Sequence, residues 1–330
     1  MSSKKRILSG MRPTGPLHLG NLHGALANWV EIQDQYDCFF FIADWHALTS
    51  DYEKPDKITD FVNEMMIDWL SAGLDPEKST LFVQSLVPEH AELFLFLSML
   101  TPVPWLERNP TYKDQIVQLD NKDLSTFGFL GYPVLQAADI IMYKAQGVPV
   151  GIDQVPHVEI TREIARRFNF FYGNVFPEPE AVLTKTSKIL GLDRRKMSKS
   201  YNNAIYLSDS PDDIKKKVSQ MVTDPQRMRR SDPGNPDICN LYEFHKIYSD
   251  SDTWKAIAPQ CRKAEIGCVE CKKIMAKNLI GAMAPMHERR ARLKADPQRV
   301  KEIIDAGSQK AREVAKATMA EVRAAIRIKD

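Results

Sequence analysis

The stretch Thr14-Gly15-Pro16-Leu17-His18-Leu19-Gly20-Asn21 separates a short strand-like run, Arg6 to Ser9, from an amphipathic helix. The helix is indicated by an apolar stripe with helical spacing: Leu22, Ala25, Leu26, Trp29 and Val30. A glycine turn that opens a helix presents free backbone N–H groups and a positive dipole end, and both attract phosphate. The stretch therefore predicts an α/β fold with a nucleotide at this turn; the alternative is a capped turn with a surface histidine.

The rest of the first half continues the alternation of strand and helix. Apolar runs at Cys38 to Ala43, Leu81 to Val83 and Val148 to Val150 are typical of buried parallel strands. The segment 102–130 shows no period and is interpreted as an insertion. After about Ile205 strand-like runs vanish and helical spacing dominates. The sequence predicts a parallel-sheet α/β domain over residues 1–205, followed by an all-helical domain over 206–330.

Composition excludes some classes of protein. The chain has 330 residues, of which 43% are hydrophobic, and no apolar run long enough to cross a membrane. The apolar part of the N-terminus is too short for a secretory signal, so a cytoplasmic protein is expected. The net charge of +2 neither demands nor excludes nucleic acid. Basic runs at 215–217, 227–230 and 289–294 fit either RNA phosphates or a solvated helix face.

A second polar motif, Lys196-Met197-Ser198-Lys199-Ser200, lies in a predicted loop between Thr184 and Asn203. When a phosphate group leaves in a phosphoryl-transfer reaction, it gains negative charge. Two flexible lysines can neutralise that charge, and the serine hydroxyls can add hydrogen bonds. We expect this loop and His18 to converge on one triphosphate, whereas a solvated basic turn is the alternative.

The segment that opens at Tyr132 predicts a helix to Tyr143 in which Tyr132, Gln136 and Asp139 share one face. A carboxylate on an apolar face needs a partner, and a hydrogen-bond donor of a bound ligand could be that partner. The alternative is a buried, capped or ion-paired aspartate.

These motifs together resemble the class I aminoacyl-tRNA synthetases. His18-Leu19-Gly20-Asn21 resembles the His-Ile-Gly-His signature, with Leu for Ile and Asn for the second His, and Lys196 to Ser200 matches the second signature. Gly151-Ile152-Asp153-Gln154 is similar to the element that binds the adenosine ribose, although Asp153 also suits a helix N-cap. The wider strings at Ser9–Gly15 and Ile42–Thr49 resemble the tryptophanyl branch.

The resemblance implies a Rossmann-like catalytic domain, a helical anticodon-binding domain and a homodimer. It implies that tryptophan is activated with ATP and Mg²⁺ and transferred to tRNA(Trp). The implied catalytic residues are His18, Asn21, Lys196 and Lys199. Implied ATP contacts are Met11, Arg12, Thr14, Gly20, Asn21, Gly151, Asp153, Gln154, Lys196, Met197, Ser198, Lys199 and Ser200. In the amino-acid pocket Asp139 would bind the indole nitrogen, with Tyr132, Gln136 and His46 around the substrate; a core role for His46 is the alternative.

Two other functions stay open at this point. Tyrosyl enzymes carry a similar Tyr-x-x-x-Gln-x-x-Asp pattern, in which the aspartate binds a phenol. A non-catalytic, RNA-binding iron–sulfur regulator on the same scaffold is a further alternative, because fold alone does not settle function.

Four of the five cysteines fall close together in sequence, as Cys239-x21-Cys261-x6-Cys268-x2-Cys271. One close pair with two spread ligands favours a [4Fe–4S] cluster, while structural zinc more often uses two close pairs. Zinc and unligated buried cysteines are the alternatives. The spacing resembles that of a subset of bacterial tryptophanyl enzymes with such a cluster.

Overall fold

The computed structural model describes residues 4–53, 55–110, 112, 124–183 and 189–328, and for Asp153 the backbone alone. By contacts the chain forms two compact units. The first unit comprises Met1–Gly15, Asn28–Lys185 and Asp296–Asp330, and the second comprises Pro16–Ala27 and Thr186–Ala295. The predicted boundary at 205/206 separates a catalytic domain from an anticodon-binding domain, and this functional division stays a prediction.

A five-stranded, fully parallel sheet forms the centre of the first unit; the sequence predicted a parallel sheet and four of these strands. Its strands are β1 (Arg6–Met11), β2 (Asp37–Ile42), β3 (Ser79–Val83), β4 (Gly147–Val150) and β5 (Glu180–Leu183). The order is β3-β2-β1-β4-β5, so the direction of winding reverses between β1 and β4. Open α/β sheets bind ligands at the carboxyl ends of the strands at such a reversal.

Helices cover both faces of the sheet at its central part and at β3, where the strand residues are buried almost throughout. Phe39, Phe41 and Phe82 pack with the apolar side of the helix Phe127–Met142 in one core cluster. The other helices of this unit are Asp44–Asp51, Ile58–Ala72, Glu89–Leu100, Val103–Glu107, Val155–Tyr172 and Pro297–Ile326, with short 3-10 turns at Pro55–Lys57, Gln84–Leu86 and Ile152–Gln154.

The helix Phe127–Met142 begins five residues before the predicted start at Tyr132. Thr126 caps it by accepting a hydrogen bond from the backbone N of Phe129 at 3.2 Å. Pro133 therefore lies inside the helix, not in its first turn as predicted. Of the predicted insertion 102–130, residues 111 and 113–123 lie outside the described part of the chain.

The long helix Pro297–Ile326 packs against β3 of the first unit. Gly307 lies so close to the carbonyl oxygen of Leu81 that a β-carbon there would overlap it. One residue on, Ser308 Oγ accepts a hydrogen bond from the backbone N of Val83 at 3.3 Å. A small residue and a hydroxyl thus let this helix approach the strand closely.

The second unit is mainly helical. Its helices are Pro211–Gln220, Asn240–Tyr248, Ser251–Arg262 and Cys268–Ala295, with 3-10 turns at Lys199–Tyr201 and Pro236–Ile238. No strand forms among residues 208–295, in agreement with the predicted helical C-terminal region. The segment that follows the glycine turn consists of three consecutive helical pieces: Leu19–Asn21, the π-helical turn Leu22–Leu26, and Ala27–Ile32. None of the helices described is both long and apolar enough to span a lipid bilayer.

Candidate active site

Three of the predicted ATP-binding residues lie at or just after the carboxyl end of β1, beside the point where the winding of the sheet reverses. Met11 ends the strand, and its carbonyl accepts from the backbone N of Ala43 at 2.9 Å. Arg12 hydrogen-bonds Ser50 and lies 3.8 Å from a carboxylate oxygen of Asp51. Burial lowers the pKa of Arg12, an effect that Asp51 opposes, and no described residue bonds its Nε. Thr14 is exposed.

The end of β4 carries the second predicted nucleotide element. Gly151 accepts from the backbone N of Gln154 at 3.0 Å, which closes the 3-10 turn Ile152–Gln154. The side chain of Asp153 lies outside the described atoms, so its predicted ribose contact is not placed. Since β1 and β4 pair directly, the backbone of this turn lies at the ligand-binding end of the sheet.

The glycine turn of the second unit is held by its own backbone and by one side chain. Asn21 Oδ1 accepts from the backbone N of His18 at 3.0 Å, which leaves the amide nitrogen of that side chain for donation. Leu19 N donates to the carbonyl of Ile205 at 3.0 Å. A β-carbon at Gly20 would lie 2.9 Å from the His18 ring, so only glycine fits against this histidine.

The lysine motif is fixed by a residue that sequence reasoning missed, Asn203. Its Oδ1 accepts from the backbone N of Ser198 at 2.8 Å, while its Nδ2 donates to Asp193 at 2.7 Å and to the carbonyl of Lys196 at 3.2 Å. Asn203 is buried, and Gly191 leaves the space that its amide occupies. Ser200 N donates to Ser198 Oγ at 3.3 Å, which opens the turn Lys199–Tyr201.

The structure brings the two signature motifs together within the second unit. A β-carbon at Gly20 would lie 3.5 Å from Cβ of the buried Met197. The pKa of His18 is lowered to about 4, first by burial and then by the charges of Lys199 and Lys196. His18 is therefore neutral at neutral pH, and its buried Nδ1 finds no hydrogen-bond partner in the described chain. The two motifs thus lie close enough for the charges of both lysines to act on His18, while their convergence on one triphosphate stays a prediction.

In the first unit, Asp139 is fully buried at the centre of a polar cluster. Its Oδ2 lies 2.8 Å from His46 Nε2, and its Oδ1 lies 2.6 Å from His90 Nδ1. Gln84 Nε2 donates to both oxygens, at 2.8 and 3.0 Å. Burial acts to raise the pKa of Asp139, but the hydrogen bonds and charges of the two histidines outweigh it and hold the pKa below its usual value. Asp139 is therefore a carboxylate.

Gln84 and His90 carry no assigned role in the sequence prediction. Gln84 directly follows β3, and His90 is the second residue of the next helix, so both lie where polar residues gather at the edge of a parallel sheet. His90 Nε2 lies 2.7 Å from Tyr143 Oη. The Oε1 of Gln84 is buried with no described partner.

Tyr132, Gln136 and Asp139 share the helix Phe127–Met142, as predicted. Tyr132 is buried, and burial raises the pKa of its phenol well above the ordinary value. Its Oη lies 3.4 Å from His157 Nε2. Gln136 is half-buried. The apolar face of this helix thus carries a tyrosine, an amide and a carboxylate at the spacing that the sequence indicates.

The four clustered cysteines converge from three elements of the second unit. Cys239 precedes the helix Asn240–Tyr248, Cys261 lies near the end of Ser251–Arg262, and Cys268 and Cys271 form the first turn of Cys268–Ala295. The pKa of Cys271 is raised to about 12, first by burial and then by the other three thiols.

Two charged or polar groups contact these sulfurs. Arg227 Nη1 lies 3.8 Å from Cys261 Sγ and 3.9 Å from Cys268 Sγ. His245 Nε2 lies 3.4 Å from Cys271 Sγ, and burial lowers the pKa of this histidine to about 4. Among the residues described, no three His, Cys, Asp or Glu side chains are placed to hold a single metal ion.

Comparison with known proteins relates this geometry to a family. Residues 2–283 match the family model of tRNA synthetases class I (W and Y). A tryptophan–tRNA ligase from Thermotoga maritima is 53% identical over 325 residues, which cover 98% of this chain and 99% of the relative. The chain belongs to the tryptophanyl group of class I tRNA synthetases.

Two further tryptophanyl synthetases extend the comparison. The tryptophan–tRNA ligase from Aquifex aeolicus is 46% identical, over 98% of this chain and all of the relative. The crystal structure of tryptophanyl-tRNA synthetase from Campylobacter jejuni, complexed with ADP and tryptophan, aligns with a TM-score of 0.90 at 35% identity. That alignment covers 97% of this chain and 99% of the solved one.

Proposed function

We propose that the chain is a tryptophan–tRNA ligase, which forms tryptophanyl-adenylate and pyrophosphate and then transfers tryptophan to the 3′ end of tRNA(Trp). The observation that carries the proposal is the convergence of a neutral His18 with Lys196 and Lys199 at a glycine turn. ATP is a substrate, and Mg²⁺ enters with its phosphates. Full-length similarity to tryptophan–tRNA ligases supports tryptophan over tyrosine.

In the first step an oxygen of the tryptophan carboxylate attacks the α-phosphorus of ATP, and the bond from that phosphorus to pyrophosphate breaks. Lys196 and Lys199 neutralise the charge that develops on the leaving group. His18, uncharged at neutral pH, donates one hydrogen bond, and the Asn21 amide donates another. Catalysis then depends mainly on position and charge, as in other phosphoryl transfers. The step needs no general base, because the attacking carboxylate carries no proton.

The remaining predicted ATP contacts divide between the two motifs and the sheet. We assign ribose and base contacts to the carboxyl ends of β1 and β4, where Met11, Arg12, Gly151 and Gln154 lie. The buried and unpaired Nε of Arg12 supports a polar ligand at this edge. The remaining ATP contacts are assigned to Thr14, to Asp153 and to the backbone around Gly20 and Ser198–Ser200.

Specificity for tryptophan is assigned to Asp139. Its carboxylate already accepts from His46, Gln84 and His90, so the indole N–H must take the place of one of them. His46 is the donor that we expect to move, since its side chain is 10% exposed while that of His90 is fully buried. Tyr132 and Gln136 are assigned to the substrate ammonium.

The cysteines are proposed to hold a [4Fe–4S] cluster. The support is that the four thiols share one region of the second unit and that their sequence spacing, one close pair with two spread ligands, favours a cubane over zinc. The cluster would hold together the segments that carry its four ligands. Next to Cys268, a groove of about 620 Å³ is lined by four lysines, Lys215, Lys272, Lys273 and Lys277, and by the apolar Val269, Ala276 and Ile280. We assign the lysines of this groove to RNA phosphates.

Amino-acid-dependent exchange of pyrophosphate into ATP tests the enzyme assignment. We expect exchange with tryptophan, none with tyrosine, and a loss of about 100-fold or more in kcat for Lys199→Ala. Lys216→Ala, which removes an exposed lysine of the same unit, is the matched control and should retain full exchange. Tyrosine-dependent exchange would support the tyrosyl alternative, and no exchange with either amino acid would support the regulator.

Metal content tests the cluster separately. Protein purified without oxygen should contain iron and sulfide and show a broad absorption band in the visible range. Stoichiometric zinc without iron would establish the zinc alternative. The homodimer and the cytoplasmic location remain proposals, and light scattering after gel filtration tests the first of them.

A further inference from the structure

The guanidinium of Arg227 is fixed beside two of the four cysteines. Its Nη2 donates to the carbonyl oxygens of Arg230 and Ile266, both at 2.9 Å. These two bonds use both hydrogens of Nη2 and orient the planar fork. Nη1 then points its two hydrogens toward Cys261 Sγ and Cys268 Sγ, at 3.8 and 3.9 Å.

One feature of the surrounding backbone preserves the position of the Arg227 guanidinium. At Gly234 a β-carbon would lie 2.6 Å from Cys261 Sγ and 3.2 Å from Arg227 Cδ, so the glycine leaves room for both groups. The Nε of Arg227 is buried and bonded to none of the described residues. Among the described residues, Arg227 donates hydrogen bonds to carbonyl oxygens and to sulfurs but to no carboxylate. Arg227 is half-buried, so its charge is partly desolvated and is stabilised by a counter-charge close to it.

Thiolates would supply that counter-charge. Four cysteine thiolates carry more negative charge than an iron–sulfur core carries positive charge, so the loaded site is a net anion. The reduced state of such a cluster is stabilised by hydrogen bonds to its sulfurs and by positive charge close to it. The same contacts help to hold the cysteine ligands on the iron.

We propose that Arg227 is a positioning residue for the cluster: it donates to the thiolates of Cys261 and Cys268, raises the reduction potential and slows the loss of iron. The proposal rests on the cluster assigned above.

The test uses the full-length protein, reconstituted with iron and sulfide without oxygen. The variants are Arg227→Gln, Arg227→Lys and, as the matched control, Arg229→Gln, which removes an exposed arginine two residues away. The readouts are the midpoint potential and the rate at which a chelator bleaches the visible absorption. We expect Arg227→Gln to bleach about tenfold faster and to have a lower potential than Arg229→Gln. Arg227→Lys should fall between them, because it keeps the charge but not the fork.

Tryptophan-dependent pyrophosphate exchange and circular dichroism identify a variant that fails to fold. If Arg227→Gln fails to fold, the comparison of Arg227→Lys with Arg229→Gln decides the question. Equal potentials and bleaching rates in the Arg227 variants and the control would overturn the role of Arg227 while leaving the cluster in place. If the unmodified protein binds no iron and sulfide, the cluster and the role of Arg227 both fall, and the exchange activity stands apart from them.

Discussion

His90 Nδ1 lies 2.6 Å from Oδ1 of the fully buried carboxylate of Asp139. The same histidine is linked through Nε2 to Tyr143 Oη at 2.7 Å. The carboxylate that we assign to the indole is therefore also a structural anchor, because it joins the helix Phe127–Met142 to the helix Glu89–Leu100.

We expect Asp139→Asn to lower the free energy of unfolding by about 3 to 5 kcal/mol, since it removes one partner of a buried, hydrogen-bonded set. Urea denaturation measures the loss. The control is Asp34→Asn, whose pair with Lys78 is exposed and should contribute little to stability. Equal losses in the two variants would contradict an anchoring role.

A second prediction concerns the lysine loop. Asn203→Ala removes the amide that bonds Ser198, Asp193 and the carbonyl of Lys196, so both lysines lose a fixed support. We expect kcat for pyrophosphate exchange to fall by about tenfold, in line with the loss of one or two buried hydrogen bonds, with little change in KM for tryptophan.

Asn202→Gly is the control for this loop. Asn202 has a φ of 48°, a left-handed conformation that glycine adopts without strain, and it lies next to the amide that matters. The control should retain normal kcat. A large and equal loss in both variants would show that the loop is sensitive to any change, and would remove the case for Asn203.

A third prediction concerns pH. The pKa of His18 is about 4 in the folded chain against 6.5 for an unperturbed histidine, so the unfolded chain binds this proton first. The contribution of His18 to stability is complete above pH 6.5 and is lost as the pH falls toward about 4. We expect the stability of the unmodified protein, relative to His18→Asn, to decline through this window. A difference that stays constant with pH would refute the lowered pKa.

A fourth prediction compares two helical glycines. A β-carbon at Gly307 would overlap the carbonyl of Leu81, whereas one at Gly281 would meet no atom within 4 Å. Gly281→Ala should stabilise the protein by about 1 kcal/mol, because alanine is the better helix former. Gly307→Ala should instead destabilise it despite the same propensity gain. Thermal denaturation of both variants gives the two signs, and stabilisation by Gly307→Ala would show that the helix and strand can separate at little cost.

The sequence was sufficient for the parallel sheet because its buried strands are continuous apolar runs, as in Cys38 to Ala43. β5, Glu180–Leu183, was not predicted, since it is a short edge strand that is mostly exposed and so lacks a clear apolar pattern. The start of the helix at Phe127 was missed because Pro133 resembles a first-turn proline.

At the site, the resemblance of the two signature motifs predicted His18 near Lys196 and Lys199, and helical spacing predicted Tyr132 on one face with Asp139. Neither could reveal Asn203, because a loop amide carries no periodic signal and its role appears only when Gly191 and Asp193 come near. Gln84 and His90 escaped for a related reason: their contacts with Asp139 span 55 and 49 residues of chain.

The packing of Pro297–Ile326 on β3 has a consequence for biogenesis. The sheet-containing unit is built from three separated stretches of polypeptide, the last of which begins at Asp296. During synthesis the edge of β3 against which Gly307 rests stays uncovered until that stretch has left the ribosome. Both stretches of the second unit, Pro16–Ala27 and Thr186–Ala295, emerge earlier. Cleavage near residue 296 would accordingly harm the sheet more than the segment bearing the cysteines.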